Sequence, residues 1–213
     1  MKEPIRILID WGSTLIRDDY LFNYIAEQSG NKKTKWESPQ SWNKIRFIGD
    51  RNFFDENIDS FFNMGDEYPD SVEVISTFCR KNSTDSEVFL IYDNKPLLST
   101  PPNEILSNMA ESFKKKGGEI DGTYISADKL CIAKQAGISI LVDDDPRIVL
   151  SFALSGIKAI LMLRKWNRFF RLEDLQYTTK EENLEKIKSN ITIAEDWFEA
   201  GIQISSIIDS LKS

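Results

Sequence analysis

Two short stretches carry residues that could do chemistry. The first, ILIDWGSTL at 7–15, runs an apolar segment into Asp10 and then into Gly-Ser-Thr. The second, ILVDDDPR at 140–147, places Asp143, Asp144 and Asp145 in a row behind another apolar run. A single acid at a strand end is common, whereas three adjacent carboxylates repel one another. A hard cation relieves that repulsion, and Mg²⁺ suits an oxygen-rich site of one or two carboxylates plus water. The competing reading is a solvated acidic turn whose Asp145 caps the next helix. The pattern favours metal-site carboxylates for Asp143 and Asp144 and leaves capping to Asp145.

The chain has no histidine. Ser-His-Asp and Cys-His hydrolysis are therefore excluded, as is any histidine acid or base. If the protein is an enzyme, carboxylates and lysines carry the reaction. Cys79 and Cys131 lie in apolar segments without a CxxC pattern, which predicts buried free thiols rather than a zinc site. The net charge of -7 disfavours sequence-independent binding of duplex nucleic acid. No run approaches the length of a transmembrane span. The start, MKEPIRIL, shows no signal-peptide pattern, so a cytoplasmic protein is expected.

The elements that must position these acids are legible as alternating strands and helices. Apolar runs at 5–9, 88–92, 123–126, 139–142 and 159–163 read as buried strands of the parallel type. Helical patterns cover 71–81, 103–116, 130–136 and 148–155. Asp70 and Glu73 are spaced for a capping box. Gly117-Gly118, Gly137 and Gly156 follow the last three helices as stops. Residues 164–190 read as polar and loop-like. Residues 195–211 read as an amphipathic helix with Phe198, Ile202, Ile204, Ile207, Ile208 and Leu211 on its apolar face. This order predicts an open parallel α/β sheet, which binds ligands at the carboxyl ends of its strands. Asp10, Asp93, 126–129 and 143–145 all fall at such ends.

About fifty residues between the first strand and the helix at Ser71 break the alternation. Helical pieces at 20–28, 42–48 and 57–64 and many aromatics suggest a small helical insertion with its own core.

In their order and spacing, DWGSTL, FLIYDN, SADK and LVDDDP resemble the four motifs of the haloacid dehalogenase (HAD) superfamily across residues 5–168. The stretches 127–168 and 191–200 are more specifically similar to its 5′-nucleotidase (deoxyribonucleotidase) branch. The resemblance implies a Rossmannoid core over 1–17 and 69–213, with the open sheet flanked by helices and a small helical cap over 18–68 inserted after strand one. It implies Mg²⁺-dependent phosphomonoester hydrolysis of a small phosphorylated substrate, a nucleoside monophosphate for that branch. Asp10 would be the nucleophile, forming an aspartyl-phosphate. Mg²⁺ would be held by Asp10, the backbone carbonyl of Gly12 and one or both of Asp143 and Asp144. Lys129 would stabilise the nucleophile and the phosphoryl oxygens, with Lys134 as a fallback whose simpler reading is a solvated helix surface. Thr14 would hold the loop after Asp10.

Two positions depart from the superfamily pattern. Gly12 replaces the second aspartate, which protonates the leaving group and then activates water. Asp93 replaces the Thr or Ser that donates to the phosphoryl group, leaving Asn94 or Ser99 as substitute donors. Three readings stay open on these residues. One is a slow phosphatase, or one that recruits an acid such as Asp18 or Asp19. Another is a non-phosphatase hydrolase such as a dehalogenase. The third is a catalytically degenerate fold that binds a ligand or protein.

Overall fold

The fold follows from strands that are apolar on both faces. A computed structural model describes residues 3–12, 14–15, 68–79, 86–92, 102–177 and 180–213. The expected cap over 18–68, apart from Tyr68, lies outside the described residues, as do Asp93, Asn94 and Ser99.

Six parallel strands form one sheet: β1 (Ile5–Asp10), β2 (Ser86–Tyr92), β3 (Gly122–Ile125), β4 (Ile138–Asp143), β5 (Lys158–Met162) and β6 (Ile191–Ala194). Their order is β3-β2-β1-β4-β5-β6. Chain order reverses at β1, so the crevice beyond the carboxyl ends of β1 and β4 is the topological switch point where such sheets bind ligands.

Successive strand residues point to opposite faces, and both faces are covered. Ile7, Ile9, Ile140 and Val142 belong to one core cluster. Over them lie α1 (Ser71–Val74, continued by a π-helical turn, Ile75–Cys79), α2 (Pro102–Lys115) and α6 (Trp197–Lys212). Leu8 and Leu141 belong to the other cluster, under α3 (Lys129–Gln135), α4 (Pro146–Leu154) and α5 (Glu181–Asn190). Gly137 and Gly156 adopt φ of 65° and 86°, the left-handed turn that ends α3 and α4 and feeds β4 and β5. Among the described residues no helix is long and apolar enough to cross a membrane.

Several sequence expectations fail for identifiable reasons. The capping box at Asp70 does not form: Asp70 has a left-handed backbone, φ 66°, and its side chain caps nothing. An N-cap needs an extended backbone to aim its oxygen at the first-turn amides. Instead the Ser71 N–H donates to the Tyr68 carbonyl at 3.2 Å. The stretch expected to be loop contains a 3₁₀ segment, Leu172–Tyr177, and the whole of α5, which buries Leu184 and Ile187 three residues apart. Cys79 is buried as expected, but Cys131 is exposed on the outer side of α3.

The apolar face of α6 also differs. Trp197, Ala200, Gly201, Ile204 and Ile208 are buried, while Phe198, Ile202 and Leu211 are exposed. Small residues let this helix approach α1 closely. A Cβ on Gly201 would lie 2.7 Å from Phe78 Cδ2 and 2.8 Å from Val74 Cγ1. Gly201→Val is therefore expected to destabilise the protein by about 1–3 kcal/mol through overpacking. Urea unfolding should show a lower midpoint; an unchanged midpoint would argue against this close approach.

Candidate active site

Two strand ends and one helix start deliver the candidate residues to the switch point. Asp10 ends β1, whose hydrogen-bonding continues one residue further through Trp11 N–H to the Ile91 carbonyl at 2.9 Å. The chain then turns tightly. The Thr14 N–H donates to the Gly12 carbonyl at 2.6 Å, and the Leu15 N–H to the Trp11 carbonyl at 3.3 Å. Asp143 ends β4 directly beside β1, and Asp144 follows it. Asp145 is the N-cap of α4, accepting from the Arg147 N–H at 2.9 Å ahead of Pro146. Burial pushes the Asp145 carboxyl up, but the hydrogen bonds and charge of Arg147 outweigh it, and the net shift is downward.

Lys129 is the first residue of α3, whose Asp128 N-cap accepts from the Cys131 N–H at 2.9 Å. A helix N-terminus is unfavourable for a cation. Two carboxylates compensate: Lys129 Nζ donates to Asp10 Oδ1 at 2.6 Å and to Asp143 Oδ2 at 2.8 Å. Asp10, Lys129, Asp143 and Asp144 are all buried. The Thr14 hydroxyl donates to Asp144 Oδ1 at 2.8 Å. The structure thus brings Asp10, Thr14, Lys129, Asp143 and Asp144 together. Lys134 is exposed on α3, in line with its reading as a solvated helix residue.

The stretch at 164–167, expected to be plain polar loop, contributes more than its sequence suggests. The Trp166 indole N–H donates to Asp144 Oδ2 at 2.8 Å. Asn167 Nδ2 donates to the Asp144 carbonyl at 2.6 Å and to the Met162 carbonyl at 2.9 Å. The Arg164 N–H donates to Asn167 Oδ1 at 2.6 Å, and Arg164 Nη2 donates to the Thr14 carbonyl at 2.6 Å. The Arg164 guanidinium also sits 3.6 Å above the Tyr68 ring, and its burial lowers its pKa. The sequence carried two signals: an aromatic-Asn segment inside the stretch that bears the family resemblance, and its place just past a strand tip, on the ligand-binding edge.

The donor set fits a hard divalent cation. Asp10, Asp143 and Asp144 each offer a carboxylate oxygen, and these atoms lie within 4.8 Å of one another. Among the described residues the three buried carboxyls share the Lys129 ammonium and the Arg164 guanidinium, two cations for three acids. Burial, and then the adjacent Asp143 charge, push the Asp144 carboxyl up to about 7, against the pull of Thr14, Trp166 and Lys129. Oxygen-only ligands and excess charge suit Mg²⁺.

The raised Asp144 value gives a pH dependence whose sign is fixed. Between its ordinary value of 3.8 and about 7, the folded chain retains a proton that the unfolded chain has lost. Stability therefore falls as pH rises through that window. In chelator-treated protein the melting temperature is expected to drop across it, relative to Asp144→Asn. Saturating Mg²⁺ is expected to flatten the difference. Parallel wild-type and variant curves would contradict the assignment.

No protein-family model matches the sequence, and no curated protein matches it. Solved structures do resemble it in fold. A D,D-heptose 1,7-bisphosphate phosphatase from Burkholderia thailandensis is 13% identical, over 95% of this chain and 99% of that one, with a TM-score of 0.53. A haloacid dehalogenase-like family hydrolase from Streptococcus pneumoniae is 12% identical, over 95% and 99%, with a TM-score of 0.53. An L-2-haloacid dehalogenase is 12% identical, over 96% and 100%, with a TM-score of 0.50. With its parallel six-stranded sheet between two helical layers, the chain has the haloacid dehalogenase-like fold.

Proposed function

We propose that the protein is a HAD-type hydrolase that cleaves small phosphomonoesters at Asp10. The observation that carries this reading is the Lys129 bridge between Asp10 and Asp143 at the switch point, with Asp144 beside them. Asp10, the Gly12 carbonyl, Asp143 and Asp144 would hold Mg²⁺. When bound, the ion would offset the repulsion between a carboxylate and a phosphate dianion.

In the first step an Asp10 oxygen attacks phosphorus, the ester P–O bond breaks, and the alcohol departs. Lys129 keeps Asp10 in place and puts positive charge beside the incoming phosphoryl oxygens. In the second step water attacks phosphorus, the aspartyl P–O bond breaks, and inorganic phosphate leaves with the Asp10 carboxylate restored. Glycine at position 12 supplies no side chain to protonate the departing alkoxide or to activate that water. Solvent must do both, so esters with good leaving groups should turn over best. The resemblance to the 5′-nucleotidase branch puts nucleoside monophosphates first among natural substrates.

Gly12 also favours a second reading, a degenerate HAD fold that binds a phosphorylated ligand without cleaving it. Hydrolysis of an aryl phosphate with Mg²⁺ separates the two. Wild-type protein is expected to turn over, and Asp10→Asn to lose activity. Gly12→Asp is expected to raise the rate on nucleoside monophosphates by about 10²–10⁴, the usual contribution of general acid–base help. No turnover of the aryl ester, with Mg²⁺ still bound, would reject hydrolysis and support the binding protein.

A further inference from the structure

The mechanism above leaves Trp166 unused, yet this half-buried residue reaches the acidic cluster directly. Asp144 receives one donor on each carboxylate oxygen, the Thr14 hydroxyl on Oδ1 and the Trp166 indole on Oδ2, both at 2.8 Å. The terminal torsion of an aspartate is soft and roughly two-fold. Donors on opposite oxygens fix it, and each oxygen keeps a further acceptor direction.

The type of donor matters. A lysine or arginine would orient Asp144 equally well but would cancel its charge. A hydroxyl and an indole N–H are neutral, so they orient the carboxylate and leave its charge for a cation. The turn bearing Trp166 is itself fixed. Asn167 ties it to the Asp144 and Met162 carbonyls, and Arg164 ties it to the Thr14 carbonyl. The links Thr14–Asp144, Asp144–Asn167, Asn167–Arg164 and Arg164–Thr14 close into a circuit joining the loops after β1, β4 and β5. Trp166 is the member of that turn aimed at the acid side chain rather than at backbone.

We propose that Trp166 is a positioning residue for the divalent cation: with Thr14 it sets the rotation of the Asp144 carboxylate, so that its remaining lone pairs face the space shared with Asp10 and Asp143. This rests on the cation-site reading given under the proposed function. Outer partners of metal-binding carboxylates typically change affinity by about 10–100-fold when removed.

The test is calorimetric titration of the full chain with MgCl₂. Trp166→Phe keeps the ring and loses the N–H. It is expected to weaken binding by about 10–100-fold, with little change in cation-free melting temperature. Trp166→Gln restores a neutral N–H donor of similar reach and is expected to recover most of the loss. Unchanged affinity in Trp166→Phe, with wild type binding normally, would overturn this proposal alone. No binding by wild type would overturn both it and the cation site. Should Trp166→Phe not fold, Trp166→Leu serves in its place, with the same expected loss of Mg²⁺ affinity and the same result overturning the proposal.

Discussion

Carboxylates taken out of water at one edge of a sheet repel each other, and this site is built around the ammonium that holds them together. Lys129 touches Asp10 and Asp143 at once, and all three are buried. Removing one partner of such a buried pair typically costs about 3–5 kcal/mol, because the remaining charge is stranded. The architecture meets this constraint in two ways. The strand order puts the tips of β1 and β4 side by side. The α3 helix begins at the edge where β3 ends, so its first residue reaches across both.

Asp144 feels the Lys129 charge but is oriented by other groups. Its side chain meets neutral donors from Thr14 and Trp166, and its backbone carbonyl meets Asn167. The same network governs the loop after β1. The Thr14 carbonyl accepts from Arg164 Nη2 at 2.6 Å and from the Trp197 indole at 3.2 Å. The Leu15 carbonyl then accepts from the Tyr68 N–H at 3.1 Å. Arg164, stacked on Tyr68 and bonded to the Thr14 carbonyl, ties the same two segments together. Glycine at position 12 fits this economy: the loop uses its backbone as structure, with Thr14 N–H on the Gly12 carbonyl.

Much of this was legible in the sequence because strands buried on both faces leave unbroken apolar runs, and chemistry sits at their ends. Asp10, Asp143, Asp144 and Lys129 could be picked out on that basis, and so could the first five strands and the helices between them. What the sequence hid depends on tertiary neighbours. Arg164 looks like any polar loop residue, and the resemblance covers Asn167 without saying what it touches, since only the fold reveals that both are buried against carbonyls. The α5 helix was masked by its charge, with just Leu184 and Ile187 facing inward. The Asp70 box failed because backbone conformation, which composition does not record, decides where a capping side chain points. On α6, hydrophobicity alone chose Phe198 and Ile202, whereas close packing chose Ala200 and Gly201.

The placement of β1 in the middle of the sheet has a consequence for how the chain acquires its shape. Its neighbours are β2, beginning at Ser86, and β4, beginning at Ile138. The Lys129–Asp10 link spans 119 positions of sequence. Once made, β1 must therefore wait, apolar, with one edge unpaired until β2 follows it and the other until β4 does. Long-range parallel pairing of this kind is intrinsically slow and exposes sticky edges while it waits. In this chain Asp10, at the end of that strand, meets Lys129 and Asp143 only after this long-range closure.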